Sequence, residues 1–221
     1  MKPERFPNVT AAHECGHVVA LAAAGLADEI LYVTIVPQNG IRGLTTRSGA
    51  SLTKLSGELA EYSARIASAT GEAQQKAIAE YNEFIATTPK VCLPHLCFFF
   101  GGGSLDRKFK REDTTGRNSI DADCIRKMVM PAMVLQTLSD EHLREVQDNV
   151  DKLFLFPVFE GNEPLFGKIY KSLVERNTLA CHNLGPDIRR EMDECAERSK
   201  KGYEELLAWF REWHNDHRLH F

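Results

Sequence analysis

The stretch Val9-Thr10-Ala11-Ala12-His13-Glu14-Cys15-Gly16-His17-Val18-Val19-Ala20-Leu21-Ala22 decides how the rest of the chain is read. Apolar or small residues at Ala11, Val18, Val19, Leu21, Ala22 and Gly25 recur at helical intervals. The spacing predicts a buried helix from about Val9 to Leu26, capped by Asn8 or Thr10 and closed by Gly25. At 3.6 residues per turn His13 and His17 project from one face, and Glu14 lies about 100° around the axis. Two neutral imidazoles four residues apart, with a carboxylate beside them, form the H-E-x-x-H pattern: the histidines can ligate a metal and the glutamate can accept a proton from water. The surrounding helix is apolar rather than solvated, which argues against three surface groups that happen to be adjacent. Gly16 costs about 1 kcal/mol of helix propensity, so it marks a place where another element packs closely. A catalytic zinc site needs three protein ligands and an open position, and the third ligand must come from elsewhere in the chain.

Working outward, Ile30–Val36 is β-branched and aromatic, and with the short run Gly43–Thr46 it reads as a strand and hairpin. Ser51–Ile85 has helical periodicity broken at Thr70-Gly71, giving two helices or one kinked helix. Leu96–Phe100 reads as a short core helix that ends in Gly101-Gly102-Gly103. A polar loop follows, then a helix from about Ser119 to Leu138 kinked near Pro131. Ser139 opens a further helix, and Glu163–Asn177 and Pro186 to about His214 look like two more. The expected fold class is mainly α with a small β-hairpin, as a single domain over 1–221. Its core spans about 8–138, and 139–221 form a C-terminal helical extension.

Composition narrows function by exclusion. The 221 residues are 26% charged and 43% hydrophobic, those of an ordinary folded protein. A formal net charge of -4, from 27 Lys+Arg against 31 Asp+Glu, gives no general reason to expect nucleic acid as a partner. The longest apolar stretches fall well short of the roughly 20 residues that cross a bilayer, and the N-terminus does not resemble a secretory signal. The expectation is a cytoplasmic protein with no membrane contact. The 6 Cys are scattered without a C-x-x-C pair and read as reduced, mostly buried thiols. Cys92, His95 and Cys97 read as core rather than as a second metal site, and His214, His217 and His220 as a frayed, solvated terminus.

Several motifs in order carry a resemblance. His13-Glu14-Cys15-Gly16-His17 is followed by Val33-Thr34-Ile35-Val36-Pro37, Gly43-Leu44-Thr45, Phe99-Phe100-Gly101-Gly102 and Thr114-Thr115-Gly116, and then by an Asp that opens another helix. Over about Thr10 to Met133 this resembles the protease domain of FtsH-type ATP-dependent zinc proteases. The resemblance implies Zn2+ held by His13, His17 and an Asp shortly after T-T-G. Asp121 is the candidate, although it sits one residue further from Gly116 than in the family's usual form, and Asp123 is close behind. It implies Glu14 as general base in peptide hydrolysis. The Ile30–Val36 strand, through Val33, Thr34 and Ile35, is expected either to hold an extended substrate main chain to main chain or simply to pack beside the helix.

The chain also departs from that family. The sequence shows no G-x-x-x-x-G-K-[ST] phosphate loop and no transmembrane anchor is expected in it, the Ser51–Pro89 insertion is longer, and nothing after Met133 matches. The expected activity is therefore that of a zinc metalloendopeptidase acting on flexible or unfolded polypeptides. A separate ATPase would be needed for folded ones, and the expected partners are such an ATPase or further copies in a homo-oligomer. The alternative is a catalytically silent module of the same fold, used for binding or scaffolding.

Overall fold

The helix that carries the motif begins where the sequence places its cap. Asn8 Oδ1 accepts a hydrogen bond from the Ala11 amide at 2.9 Å, and the Asn8 amide donates to Tyr170 Oη at 2.8 Å, so the helix start is tied to a distant segment. The resulting α1 (Val9–Ala23) ends before Gly25, which adopts φ +79°. The computed structural model describes residues 1–38, 41–110, 120–135 and 139–219. The Thr114-Thr115-Gly116 motif, the expected helix start at Ser119, and His220 lie outside the described residues.

The protein is mainly helical with one small antiparallel sheet. Strands β1 (Ile30–Thr34) and β2 (Leu44–Arg47) form the expected hairpin, with Val33 opposite Thr45. A third strand, β3 (Thr178–Ala180), pairs with the other edge of β1, so the order is β2-β1-β3 and β1 is central. The hairpin reading is corrected to a three-stranded sheet. Three residues are too few to show a period of two in sequence.

Helices α2 (Ala50–Ser68) and α3 (Gly71–Ile85) separate at Thr70-Gly71 as the periodicity predicts. The next helix does not stop at its glycines. The single helix α4 (Thr88–Lys108) takes Pro89 in its first turn and runs through Pro94 and Gly101-Gly102-Gly103. The expected exit at Gly101 is absent, and Gly101 and Gly102 instead face α1. An apolar window within Gly71–Lys108 is long enough by length and composition to cross a bilayer, but it draws on helices α3 and α4 and most of it is buried inside the protein.

The segment bearing the acidic candidates is α5 (Ile120–Cys124), a π turn (Ile125–Val129) and α6 (Met130–Ala132). The irregularity expected at Pro131 takes the form of this wider turn just before the proline. Ser139 caps α7 (Asp140–Val150) in a reciprocal arrangement with His142. A second π turn (Asp151–Leu155) leads to α8 (Phe156–Gly161), followed by α9 (Glu163–Arg176) and α10 (Pro186–His217).

Helix α1 is the hub, packed chiefly on α4 and also on α10 and α9. The C-terminal segment is ordered rather than frayed, contrary to expectation. His214 is fully buried with Nε2 donating to the Met133 carbonyl at 2.8 Å, His217 stacks on Trp213, and the Leu219 amide donates to the Val134 carbonyl at 2.9 Å.

Candidate metal centre

The site starts from a close helix crossing. A Cβ on Gly16 would stand 2.5 Å from the Gly101 carbonyl oxygen, and one on Gly101 would stand 2.6 Å from the Gly16 carbonyl oxygen. Only hydrogen at both positions lets α1 and α4 approach this far. One residue further, a Cβ on Gly102 would lie 2.5 Å from His13 Nε2 and 2.6 Å from His17 Nε2. The glycines that look like a helix stop in sequence therefore make the floor under the two imidazoles.

Each imidazole is oriented by its other nitrogen. His13 Nδ1 lies 2.8 Å from Asp106 Oδ2, and His17 Nδ1 lies 2.7 Å from the Phe98 carbonyl oxygen, so both Nδ1 atoms act as donors. That leaves both Nε2 atoms with lone pairs, and they meet at 3.1 Å. Asp121 Oδ2 completes the triangle at 3.8 Å from His13 Nε2 and 3.6 Å from His17 Nε2. Three ligands of a tetrahedral zinc at about 2.0–2.1 Å are about 3.3 Å apart, which is the scale of this triangle.

The charge of the site points the same way. Burial pulls the His13 pKa down, but its hydrogen bond to Asp106 and the nearby Asp121 and Glu14 carboxylates outweigh it and raise it to about 10. Burial opposes ionisation of Asp121, yet His17 and His13 hold its carboxyl below its ordinary range. Two facing lone pairs and a carboxylate require a cation among them, either a proton or a metal ion. The two-imidazole, one-carboxylate set fits a divalent metal, Zn2+ included. Among the described residues, this is the one group of three or more His, Cys, Asp or Glu side chains that converges closely enough to hold one.

The structure thus brings His13, His17 and Asp121 together. Asp123 turns away, about half exposed and 3.2 Å from Lys127 Nζ. Glu14 is buried at 4% exposure, with Oε2 accepting from Thr45 Oγ1 at 2.7 Å. Asp106 was not singled out in sequence. It sits one turn after Gly102 on the face that meets α1, and that i, i+4 relation was the available signal.

Val33, Thr34 and Ile35 do not offer a free edge. Val33 and Thr34 lie in register between β2 and β3, and the Ile35 amide donates to the Asn177 carbonyl at 2.9 Å. The expectation that this strand adds a substrate chain is corrected, because a central strand has no unpaired main chain left to offer. The edge strand that touches the site is β2, whose outer edge pairs with no strand among the described residues. Cys92, His95 and Cys97 are buried core residues, as expected. No protein-family model matches the chain, and no curated protein or solved structure matches it.

Proposed function

We propose that this protein is a metal-dependent peptidase of the FtsH protease-domain type, with Zn2+ as the resident ion. The observation that carries the reading is the convergence of His13 Nε2, His17 Nε2 and Asp121 Oδ2 beside a buried, hydrogen-bonded Glu14. His13, His17 and Asp121 would hold a divalent cation, which when bound would supply a Lewis acid for the scissile carbonyl and lower the pKa of water. His13 and His17 would offer Nε2 to the ion, their Nδ1 atoms being engaged by Asp106 and the Phe98 carbonyl. Glu14 accepts the proton released by the attacking water and returns it to the leaving amine. The outer edge of β2 is placed to receive an extended polypeptide main chain to main chain, which gives broad sequence preference. Substrates are then flexible or unfolded chains, and folded ones require a separate ATPase partner.

Metal analysis and turnover test the reading together. The purified protein should hold about one zinc per chain, His17→Ala should lose it, and Glu14→Gln should keep the zinc while abolishing casein or peptide cleavage. Absence of stoichiometric zinc removes the metal site. Zinc with cleavage unaffected by Glu14→Gln removes the peptidase assignment and leaves a metal-stabilised binding module.

A further inference from the structure

A glutamate that moves a proton must hold its carboxylate in one orientation, because the terminal torsion of Glu is broad and roughly two-fold. In this protein the orientation is set from outside α1, by the start of β2. Thr45 Oγ1 donates to Glu14 Oε2 at 2.7 Å and lies 3.4 Å from the Glu14 carbonyl oxygen, so the hydroxyl is aimed at this residue alone. Thr45 is 8% exposed and sits in register opposite Val33, which in turn pairs with Leu179. The backbone that carries the hydroxyl is therefore fixed by the full width of the sheet. Two residues earlier, a Cβ on Gly43 would stand 2.6 Å from Glu14 Oε1 and 3.0 Å from its Cγ. The carboxylate lies against the bare Cα of Gly43, and Oε1 carries no hydrogen bond among the described residues.

From this geometry we infer that Thr45 is the positioning residue for the general base. It engages Oε2 and so leaves Oε1 as the atom that takes the proton, while Gly43 provides the space in which the carboxylate lies. The inference rests on the peptidase reading and adds to it a division of labour between the two oxygens. In the step it serves, an O–H bond of the attacking water breaks, its proton forms a bond to Oε1, and the water oxygen attacks the carbonyl carbon. The same proton later leaves Oε1 for the amine as the C–N bond breaks, so the carboxylate ends unchanged. A hydrogen bond to an ionised group matters more than one between neutral groups, and this one constrains an atom that must be aligned with the reacting water.

The test uses the zinc-loaded full chain with an unstructured fluorogenic peptide, comparing wild type, Glu14→Gln, Thr45→Val, Thr45→Ser and Gly43→Ala. Thr45→Val keeps the shape and removes the donor, so kcat should fall about tenfold or more while KM and zinc content stay within about twofold. Thr45→Ser restores the donor and should stay within about threefold of wild type, and Gly43→Ala should fall with Thr45→Val. Wild-type kcat in Thr45→Val overturns the inference, as does a Thr45→Ser variant as impaired as Thr45→Val. If wild-type turnover does not exceed that of Glu14→Gln, the peptidase reading is what has failed. The contact is then read from the 13Cδ resonance of Glu14, identified by its loss in Glu14→Gln. A resonance that moves in Thr45→Val and returns in Thr45→Ser upholds the positioning role, and one that does not move overturns it.

Discussion

At the scale of single residues the His13–His17–Asp121 cluster depends on atoms one step removed from it. Asp106 is fully buried and holds His13 through Nδ1, so Asp106→Asn keeps a hydrogen-bonding group of the same size and removes the charge. Zinc affinity should fall by about 10- to 100-fold, measured by competition with a chelator, while the fold persists. Gly102→Ala tests the floor: its Cβ would overlap both Nε2 positions, displacing the rings by a sizeable fraction of a bond length. Turnover should drop by about 100-fold. Thermal stability of the metal-free protein should fall far less than turnover, because alanine's better helix propensity of about 1 kcal/mol offsets part of the overlap. A fall in stability that accounts for the lost activity would show that the glycine serves packing alone. His13, Glu14 and His17 were legible because their relation is local, fixed by the helical repeat. Asp106 and Thr45 were not, because their roles exist only once α4 and β2 are brought to α1, and nothing in a local window encodes that distance.

At the scale of elements, α1 and α4 show how the same residue type can carry opposite meanings. Glycine after an apolar run reads as a helix end, and in sequence Gly101-Gly102-Gly103 has that form. Here, however, the carbonyl of each helix lies where the other's Cβ would be, so the run is a contact surface inside a continuous helix. Gly16→Ala should lose about 2 kcal/mol or more in denaturant unfolding, since the blocking atom is backbone and cannot rotate aside. Gly57, in α2, has nothing within 4 Å of its would-be Cβ, so Gly57→Ala should instead gain up to about 1 kcal/mol. Opposite signs from one substitution in two helices would establish the crossing as the cause. The sheet carries the same lesson. The β1–β2 hairpin was visible as two runs of β-forming residues, whereas β3 was not, and it is β3 that turns β1 from an edge strand into a central one. The edge left unpaired among the described residues thus lies on β2, the strand that also holds Glu14.

At the scale of the whole molecule, the C-terminal third closes on both halves of the site. It supplies β3 to the sheet, and through His214, Arg218 and Leu219 it holds the chain just after the Asp121-bearing segment. Two histidines, His95 and His214, are buried in unlike places, and their titration should set how the fold fails in acid. Burial pushes His95 down to about 3, with the nearby Arg47 charge adding to the effect. Its Nε2 lies 2.8 Å from Ser51 Oγ, which itself donates to Glu29. Burial likewise pushes His214 below its ordinary value, against the Met133 carbonyl that favours its charged form. Both are neutral in the folded chain, whereas the unfolded chain binds protons at these positions below about 6.5. Their contribution to stability is therefore complete above about 6.5 and is lost as the pH falls, continuing toward about 3 for His95. Each proton taken up on unfolding gives a slope of about 1.4 kcal/mol per pH unit. Urea unfolding of the metal-free protein between pH 7 and 4.5 should show stability falling with pH, and His95→Gln should flatten that slope by about one proton's worth. An unchanged slope in His95→Gln would mean that His95 titrates alike in the folded and unfolded chain.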